Sequence, residues 1–299
     1  MTDISNQTEK CAVCGSVDVH EIGTKVGSFR KGYVFRFYQC AHCFFSFVGN
    51  PWTEYDRIYS QAYYSGDGAD PLADYAYELD NPNDTIRQYE WRGILNIAGS
   101  LLGADRNVTW LDYGCGHGGL VRYANQAGLS GCIGFEEGHI ADVARRRGVP
   151  IVKREDLVDM HGKFDLVTAI EVIEHVPNPI EFLSSIRALL KPGGILLLTT
   201  GNAKPYRNAI SNWSYASVPE VHVSFFEPDT LALALKKSGF LPVQRGYIRG
   251  YEDVIKFKVL KNLHVRRRNA FFDVLPWSVL SRIVDRRFGV TAHPSGIAA

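Results

Sequence analysis

The sequence contains no long apolar run, almost no net charge, few cysteines and no internal repeat. No stretch approaches the roughly 18 apolar residues of a membrane-spanning helix, and the initial MTDISNQTEK lacks the apolar core of a secretory signal. The 33 basic and 32 acidic side chains leave a formal charge of +1, which argues against a protein that binds nucleic acid over its whole surface. We therefore expect a cytoplasmic protein.

What the sequence contains is ordinary globular composition, with 45% hydrophobic and 22% charged residues over 299 positions. That length can bury a sizeable core in one large domain or two smaller ones. Shifts in composition predict four segments. They are a zinc-binding module at 1–49, a tyrosine-rich connector or lid at 50–92, an α/β domain at 93–262 and a basic amphipathic tail at 263–299.

From Val108 onward, short apolar runs alternate with helical patterns, which is typical of βαβ units and a parallel sheet. The run FDLVTAIE is apolar enough to be a strand buried on both faces. We predict a doubly wound, mostly parallel, seven-stranded Rossmann-like sheet. Its predicted strands are 108–113, 132–136, 151–152, 164–171 and 195–200, completed by two more near 242–249 and 253–260.

Four of the six cysteines form two C-x2-C pairs, Cys11 with Cys14 and Cys40 with Cys43. Zn²⁺ prefers four tetrahedral thiolates, and a C-x2-C turn presents two of them. The intervening residues, with Gly32 as a turn, predict a hairpin that leads into the second pair. We predict a structural zinc site rather than a redox pair, because no helix signal follows either motif. The remaining cysteines are expected to be small buried apolar residues.

A glycine-rich loop, LDYGCGHGG at 111–119, lies where the first predicted strand turns into a helix. Its glycines permit a tight turn and close approach of a ligand to the backbone. The spacing Gly114-x-Gly116-x-x-Gly119 also satisfies the dinucleotide fingerprint, so the glycines alone do not identify the ligand. Asp112 before the loop would repel a pyrophosphate and favour a cationic ligand. Glu136, at the end of the second strand, could accept hydrogen bonds from ribose hydroxyls.

With these surroundings the sequence resembles the class I S-adenosylmethionine-dependent methyltransferases. LDYGCGHGG, IGFEEG and REDL look like the first three motifs of that family. FDLVTAIEVIEHVPNP, LLKPGGILLLTT and HVSFFEPDTLALALKKSGF are similar to its small-molecule subgroup, which includes the ubiquinone-pathway O-methyltransferases. The zinc-knuckle N-terminus with a tyrosine-rich segment resembles methyltransferases of glycan and natural-product pathways. The segment 93–262 would then be the methyltransferase domain, with S-adenosylmethionine as cofactor and Zn²⁺ as a structural metal.

The resemblance also implies roles for individual residues around the cofactor. Asp112 and the loop residues Gly114, Cys115 and Gly116 would contact the amino-acid part of the cofactor. Glu136, or less favourably Glu137, would hold the ribose. The remaining implied contacts are Asp156 to the adenine amino group, Leu157 beside the adenine ring, and Ile170 and Glu171 near the sulfonium.

Two histidines are the candidates for a catalytic base. His175 follows the fourth strand of the sheet, and a structural cap on the next loop is the alternative role for it. His222 lies in a segment that the resemblance places near the acceptor pocket. The tyrosine-rich segment could form a lid, for which Tyr63 and Tyr64 are the best candidates, although interdomain packing is favoured for most of its aromatic residues.

The C-terminal tail combines a basic cluster with the apolar segment AFFDVLPWSVLSRIV. Such a segment could lie on an anionic membrane as a peripheral contact, or dock on its own core or a second subunit, and we favour docking. For the whole chain we expect a methyltransferase acting on a small molecule or a glycan or natural-product intermediate. The alternatives are an RNA methyltransferase and a non-catalytic binding module. The sequence leaves open whether O, N or C is methylated.

Overall fold

The computed structural model describes residues 10–64, 75–103, 107–242, 249–281 and 291–297. Its strands are β1 (Val19–Val26), β2 (Val34–Cys40), β3 (Ser46–Val48), β4 (Trp110–Tyr113), β5 (Cys132–Phe135), β6 (Ile151–Val152), β7 (Phe164–Ile170), β8 (Leu190–Thr200), β9 (Ser224–Phe225), β10 (Phe240–Pro242) and β11 (Thr291–Ile297). Its α-helices are α1 (Tyr55–Ile58), α2 (Gln61–Tyr64), α3 (Tyr75–Asp80), α4 (Arg87–Leu102), α5 (Gly119–Gln126), α6 (Gly138–Arg146), α7 (Pro179–Leu189), α8 (Pro228–Lys237), α9 (Tyr251–Asn262) and α10 (Ala270–Asp273). Within these ranges no helix has the length and apolarity to cross a membrane.

The larger sheet has a centre of five parallel strands in the order β6, β5, β4, β7, β8. Leu111 on β4, Val167 on β7 and Leu197 on β8 are fully buried, as expected for strands covered by helices on both faces. β11 pairs antiparallel with β8, and β10 pairs antiparallel with β11. The parallel centre confirms the predicted Rossmann-like fold, and it brings the carboxyl ends of β4, β5, β7 and β8 to one edge.

The strand predicted at 253–260 is wrong, because these residues belong to helix α9. The strand was predicted to complete the sheet, but tertiary packing against α4 decides the outcome. Gly93 and Gly250 let the two segments approach closely. A Cβ at Gly93 would lie 2.8 Å from Cγ2 of Val254, and a Cβ at Gly250 would lie 2.4 Å from the carbonyl oxygen of Gly93. Of the strand predicted near 242–249, β10 contains Pro242, and residues 243–248 lie outside the described ranges.

The cysteine-rich segment forms a second sheet in the order β1, β2, β3, β9. The predicted hairpin is present as β1 and β2, joined by a turn in which Gly32 has a φ of 82°. The fourth strand, β9, comes from the chain after β8, and Phe47 pairs with Ser224 across it. Two side chains of α8 also hold this segment, because Thr230 donates to the carbonyl of Cys43 and Lys237 donates to that of Cys14. The small sheet is therefore built partly from the segment 93–262.

The described part of the C-terminal tail packs on α4 and α9. The ammonium of Lys256 lies 2.6 Å from Asp273, and Arg268 donates to Gln88 at 2.7 Å. Trp277 is buried, whereas Phe271 and Val274 are exposed. α10 covers only four residues, so the apolar segment does not form one long helix.

Candidate functional site

A cavity of about 1650 Å³ opens at the carboxyl edge of the parallel strands. Its walls include the glycine loop, the ends of β5, β7 and β8, the tyrosines of α1, α2 and α3, the loop 200–222 and helix α9. The aromatic rings of Tyr59, Tyr63, Tyr64 and Tyr75 contact one another edge-on or stacked along one wall. This placement brings the tyrosine-rich segment directly over the predicted cofactor region.

The glycine loop connects β4 to α5 with left-handed backbone. Gly114 has a φ of 77°, and a Cβ there would lie 2.6 Å from Cγ2 of Val172, so any side chain would collide with the neighbouring loop. The amide of Gly116 donates to Oε2 of Glu136 at 2.8 Å, which ties the loop to the end of β5. Cys115 packs its sulfur against the space left by Gly134. The predicted loop residues therefore line the cavity together.

Asp112 lies beneath the glycine loop and is 4% exposed. One carboxylate oxygen accepts a hydrogen bond from Oγ1 of Thr168 at 2.6 Å, and that threonine also accepts from the indole of Trp110. Burial raises the pKa of Asp112 to about 7. A cation that enters the cavity would favour the ionised carboxylate, which is the behaviour expected at a site for a positively charged ligand.

Glu136 and Glu137 differ sharply in their surroundings. Glu136 lines the cavity and accepts from the amides of Gly116 and Glu137, while burial raises its pKa. Glu137 pairs with the guanidinium of Arg154, which lowers the pKa of that carboxyl. In the part of the chain that is described, no cation is paired with Glu136. Glu136 is therefore the better acceptor for ligand hydroxyls.

The structure does not bring Asp156 and Leu157 into the cavity wall. They lie on the 3₁₀ turn Arg154–Met160, where Asp156 is exposed and accepts from the amide of Lys153 at 3.2 Å. The side chain of Asp156 is used to cap its own turn, whereas Arg154 from the same turn does line the cavity.

A charged cluster that the sequence did not reveal also lines the cavity, next to the glycine loop. Arg87 of α4 contacts Glu78 at 3.0 Å and Glu90 at 2.9 Å, and His117 of the glycine loop contacts the other oxygen of Glu78 at 2.9 Å. All four line the cavity. Glu90 is 3% exposed, and its Oε1 has no hydrogen-bond partner. A buried carboxylate oxygen in this condition favours a ligand that donates a hydrogen bond.

The two predicted histidines lie side by side in the cavity, with ring centroids 5.0 Å apart. Burial, and then the charge of His222, lower the pKa of His175 to about 3, so His175 is neutral near pH 7. His222 Nδ1 lies 2.5 Å from the carbonyl oxygen of Tyr215. A carbonyl only accepts, so Nδ1 carries a proton, and in the neutral form of the ring Nε2 carries the lone pair.

Three further rings stack in sequence from His222 along the same wall. Tyr215 stacks on His222 at 4.1 Å, Trp213 on Tyr215 at 4.7 Å, and Tyr206 on Trp213 at 5.0 Å. The stack lies over Gly201, where a Cβ would come within 2.7 Å of the indole of Trp213. Such a wall suits the flat face of a ring or a sugar.

Ile170 is the last residue of β7 and Glu171 follows it, and both line the cavity. Glu171 has a φ of 56°, which is uncommon for a residue with a side chain and directs its carboxylate into a polar cluster. Its carboxylate accepts from Lys258 at 2.7 Å, from Thr199 at 3.0 Å and from Tyr215 at 2.9 Å. Burial alone would raise the pKa of Glu171, but the ammonium of Lys258 and the hydrogen bonds from Lys258, Tyr215 and Thr199 together lower the pKa to about 2.

The four predicted zinc ligands converge in the N-terminal segment. The ligating sulfurs of Cys11, Cys14, Cys40 and Cys43 all lie within 4.8 Å of one another, and two sulfur pairs are 3.4 Å apart. Tetrahedral thiolates with Zn–S bonds of about 2.3 Å would have sulfurs roughly 3.8 Å apart. The donor set and its spacing therefore fit one Zn²⁺. All six cysteines are free thiols.

A glycine loop after the first parallel strand, with an acid at the end of the second, defines a Rossmann-like protein that binds a nucleotide-type cofactor. Residues 84–245, more than half of the chain, match the family model described as "Methyltransferase domain". The chain belongs to this family, the class I S-adenosylmethionine-dependent methyltransferases.

Curated relatives and a solved structure are similar to this chain. "Ubiquinone biosynthesis O-methyltransferase" of Dechloromonas aromatica is 32% identical over 148 residues, which cover 44% of this chain and 64% of the relative. The enzyme with the same name from Bordetella avium is 32% identical over 174 residues, covering 51% and 68%. The chain thus spans less than two thirds of the length of the Dechloromonas aromatica relative. "Phospholethanolamine N-methyltransferase 2" of Haemonchus contortus shares the fold, with a TM-score of 0.51, 18% identity and coverage of 85% of this chain and 62% of that one.

Proposed function

We propose that the protein transfers a methyl group from S-adenosylmethionine to a hydroxyl group on a small ring-containing acceptor. The observation that carries this proposal is His222, whose tautomer places the lone pair of the ring on Nε2 in a cavity walled by stacked aromatic rings. The names of the curated relatives, which are O-methyltransferases of ubiquinone biosynthesis, support transfer to oxygen. A glycan or natural-product intermediate would offer the same kind of ring hydroxyl as methyl acceptor.

The cofactor would occupy the side of the cavity that faces the glycine loop. Glu136 would accept from the ribose hydroxyls, and the loop backbone at Gly114 and Gly116 would allow close approach. Asp112 and the unpartnered oxygen of Glu90 would receive the ammonium of the amino-acid part, and Arg87 would attract its carboxylate. When bound, S-adenosylmethionine supplies an electrophilic methyl carbon next to a sulfonium.

The protein's own contribution is to position the acceptor and remove its proton. The aromatic stack would hold the acceptor ring, and His222 Nε2 would take the hydroxyl proton as the new oxygen–carbon bond forms. His175 would support the position of His222. The ring of His175 is neutral, and its Nδ1 lies 3.1 Å from both the hydroxyl of Tyr59 and the carbonyl oxygen of Val221. The tyrosines along the cavity wall, Tyr59, Tyr63, Tyr64 and Tyr75, would exclude water from the reacting groups.

For the N-terminal segment we propose a structural Zn²⁺ held by Cys11, Cys14, Cys40 and Cys43, because the sulfurs converge and the surrounding segment is too small to rely on its own core. For the tail we propose docking on its own core, supported by the Lys256–Asp273 ion pair. The near-neutral charge supports a small-molecule acceptor over RNA.

Calorimetric titration tests the cofactor assignment directly. We expect saturable binding of S-adenosylmethionine and S-adenosylhomocysteine and no binding of NAD at the same concentrations. Binding of NAD alone would overturn the proposal, because the glycine spacing by itself permits that ligand.

Replacing Glu136 with Ala should weaken S-adenosylmethionine binding by about 1–3 kcal/mol, roughly 5- to 150-fold, because two ligand hydroxyls lose their acceptor. Titration of the variant measures this loss. Glu155→Gln is a matched control, since Glu155 is exposed and lies outside the cavity wall. Unchanged affinity in Glu136→Ala would refute the ribose role.

A further inference from the structure

Tyr215 holds an unusual position, because its hydroxyl contacts two carboxylates at once. The phenol oxygen lies 2.9 Å from Oε2 of Glu171 and within hydrogen-bond distance of Oε1 of Glu174. The other oxygen of Glu171 accepts from Lys258 and Thr199, and the other oxygen of Glu174 accepts from Thr200 at 2.9 Å. All three residues of the central contact line the cavity.

Counting protons shows what this arrangement requires. A phenol has one proton and can donate to only one of the two carboxylates. If it donates to Glu171, the contact between the phenol oxygen and Glu174 joins two oxygens with lone pairs only, which is repulsive unless Glu174 carries a proton. One of the two carboxyl groups in the cluster must therefore be neutral.

The surroundings decide which carboxyl group holds that proton. Glu171 faces the ammonium of Lys258 at 2.7 Å, which favours its ionised form. Glu174 is fully buried, and both of its oxygens are occupied by Tyr215 and Thr200. Burial and the charge of Glu171 raise the pKa of Glu174 to about 8. The titratable groups around it are Glu171, His175, Tyr215, His222, Lys258 and, further away, Tyr59.

We infer that Glu174 is a positioning residue that acts as a neutral carboxylic acid, donating to the phenol oxygen of Tyr215 while Tyr215 donates to Glu171. Through Tyr215 this proton fixes His222, because the histidine stacks on the ring of Tyr215 and donates to its backbone carbonyl. The inference rests on the proposed function only in its kinetic consequence; the protonation of Glu174 stands independently of it.

The proton of Glu174 also limits the acceptor that the wall can receive. While Glu174 is neutral, the cluster carries one carboxylate and one ammonium and is neutral overall. When Glu174 ionises, a second negative charge lies next to the acceptor wall, and the contact with Tyr215 becomes repulsive. The wall therefore suits an uncharged ring hydroxyl, and His222 loses its fixed position in alkaline solution.

Infrared spectroscopy of the full-length protein tests the protonation without any acceptor. At pH 6 the spectrum should contain a protonated-carboxyl carbonyl band that disappears in Glu174→Gln and is retained in Glu155→Gln. The pKa of Asp112 is also raised, so the variant Asp112→Asn is used to identify any contribution of Asp112 to this band. A spectrum of Glu174→Gln that matches the original protein in this region would overturn the inference, whatever reaction the protein performs.

The pH dependence of methyl transfer to catechol, an uncharged ring acceptor, tests the consequence for His222. Glu174→Gln keeps the donor to Tyr215 and the acceptor for Thr200, so its activity at pH 7 should stay within about twofold of the original. At pH 9 it should be about tenfold more active than the original, since one pH unit above a pKa of about 8 leaves a tenth of the acid form. An identical alkaline loss in both proteins would contradict the positioning role.

The two readouts separate the possible failures. Absence of transfer to the probe by every variant, with the infrared band present and lost in Glu174→Gln, would count against the proposed function and leave the protonation supported. A missing band would count against the inference even if the original protein methylates the probe.

Discussion

Replacing His222 with Ala should lower the rate of methyl transfer by about 10²- to 10⁴-fold, the usual contribution of a positioned general base. The affinity for S-adenosylmethionine should stay unchanged, because His222 lies on the proposed acceptor wall of the cavity, whereas the glycine loop would form the cofactor wall. Single-turnover rates with a catechol probe, combined with calorimetry, separate the two effects.

His161→Ala provides the control, since this histidine is exposed and outside the cavity. A rate for His222→Ala within threefold of the original would remove His222 as the base. It would transfer that role to His175 or show that the acceptor loses no proton in the rate-limiting step.

The second large effect is expected from the cysteine cluster. Structural zinc contributes an apparent binding free energy of roughly 10–16 kcal/mol in small zinc modules at neutral pH, so Cys14→Ser should release the metal and unfold the N-terminal sheet. The loss should spread to the loop 200–222. β9 belongs to that sheet, and Glu220 of the loop accepts from the amides of Phe29 and Arg30.

Metal analysis and hydrogen exchange check this expectation. Exchange should accelerate in β1 to β3 and in residues 204–223, while the glycine loop keeps its protection and S-adenosylmethionine still binds. Cys132→Ala is the control, because Cys132 is buried in β5 far from the cluster and should retain one zinc per chain. Full metal content in Cys14→Ser would contradict the proposed ligand set.

Local sequence signals were sufficient for the features that depend on neighbouring residues. The glycine spacing after an apolar strand located the loop, and the position of Glu136 at the next strand end placed it within 2.8 Å of the amide of Gly116. Parallel strands carry their carboxyl ends to one edge, so these contacts follow from strand order alone. The C-x2-C spacing likewise indicated which cysteines converge.

Contacts between distant segments could not be predicted in the same way. Arg87 and Glu90 share a helix face, but nothing in the sequence indicates that Glu78 and His117 meet them. Helix α9 was mistaken for a strand, because its packing on α4 depends on two glycines more than 150 residues apart. Asp156 was assigned from a motif, although the structure uses its side chain to cap its own turn.

The contact of Tyr215 with Glu171 and Glu174 depends partly on neighbouring residues and partly on distant segments of the chain. Glu171 and Glu174 are three residues apart after β7, which is visible in the sequence. The phenol between them comes from a loop more than 40 residues later, and the ammonium of Lys258 comes from α9. The chemistry of the acceptor wall therefore depends on tertiary contacts that a motif search does not contain.

The most direct test of the central claim is mass spectrometry of catechol after incubation with the protein and S-adenosylmethionine. We expect a product that is one methyl group heavier, with the methyl on oxygen, and an equal amount of S-adenosylhomocysteine. Formation of neither product by a protein that binds S-adenosylmethionine, across a panel of ring hydroxyl acceptors, would contradict the claim that this cavity performs O-methyl transfer.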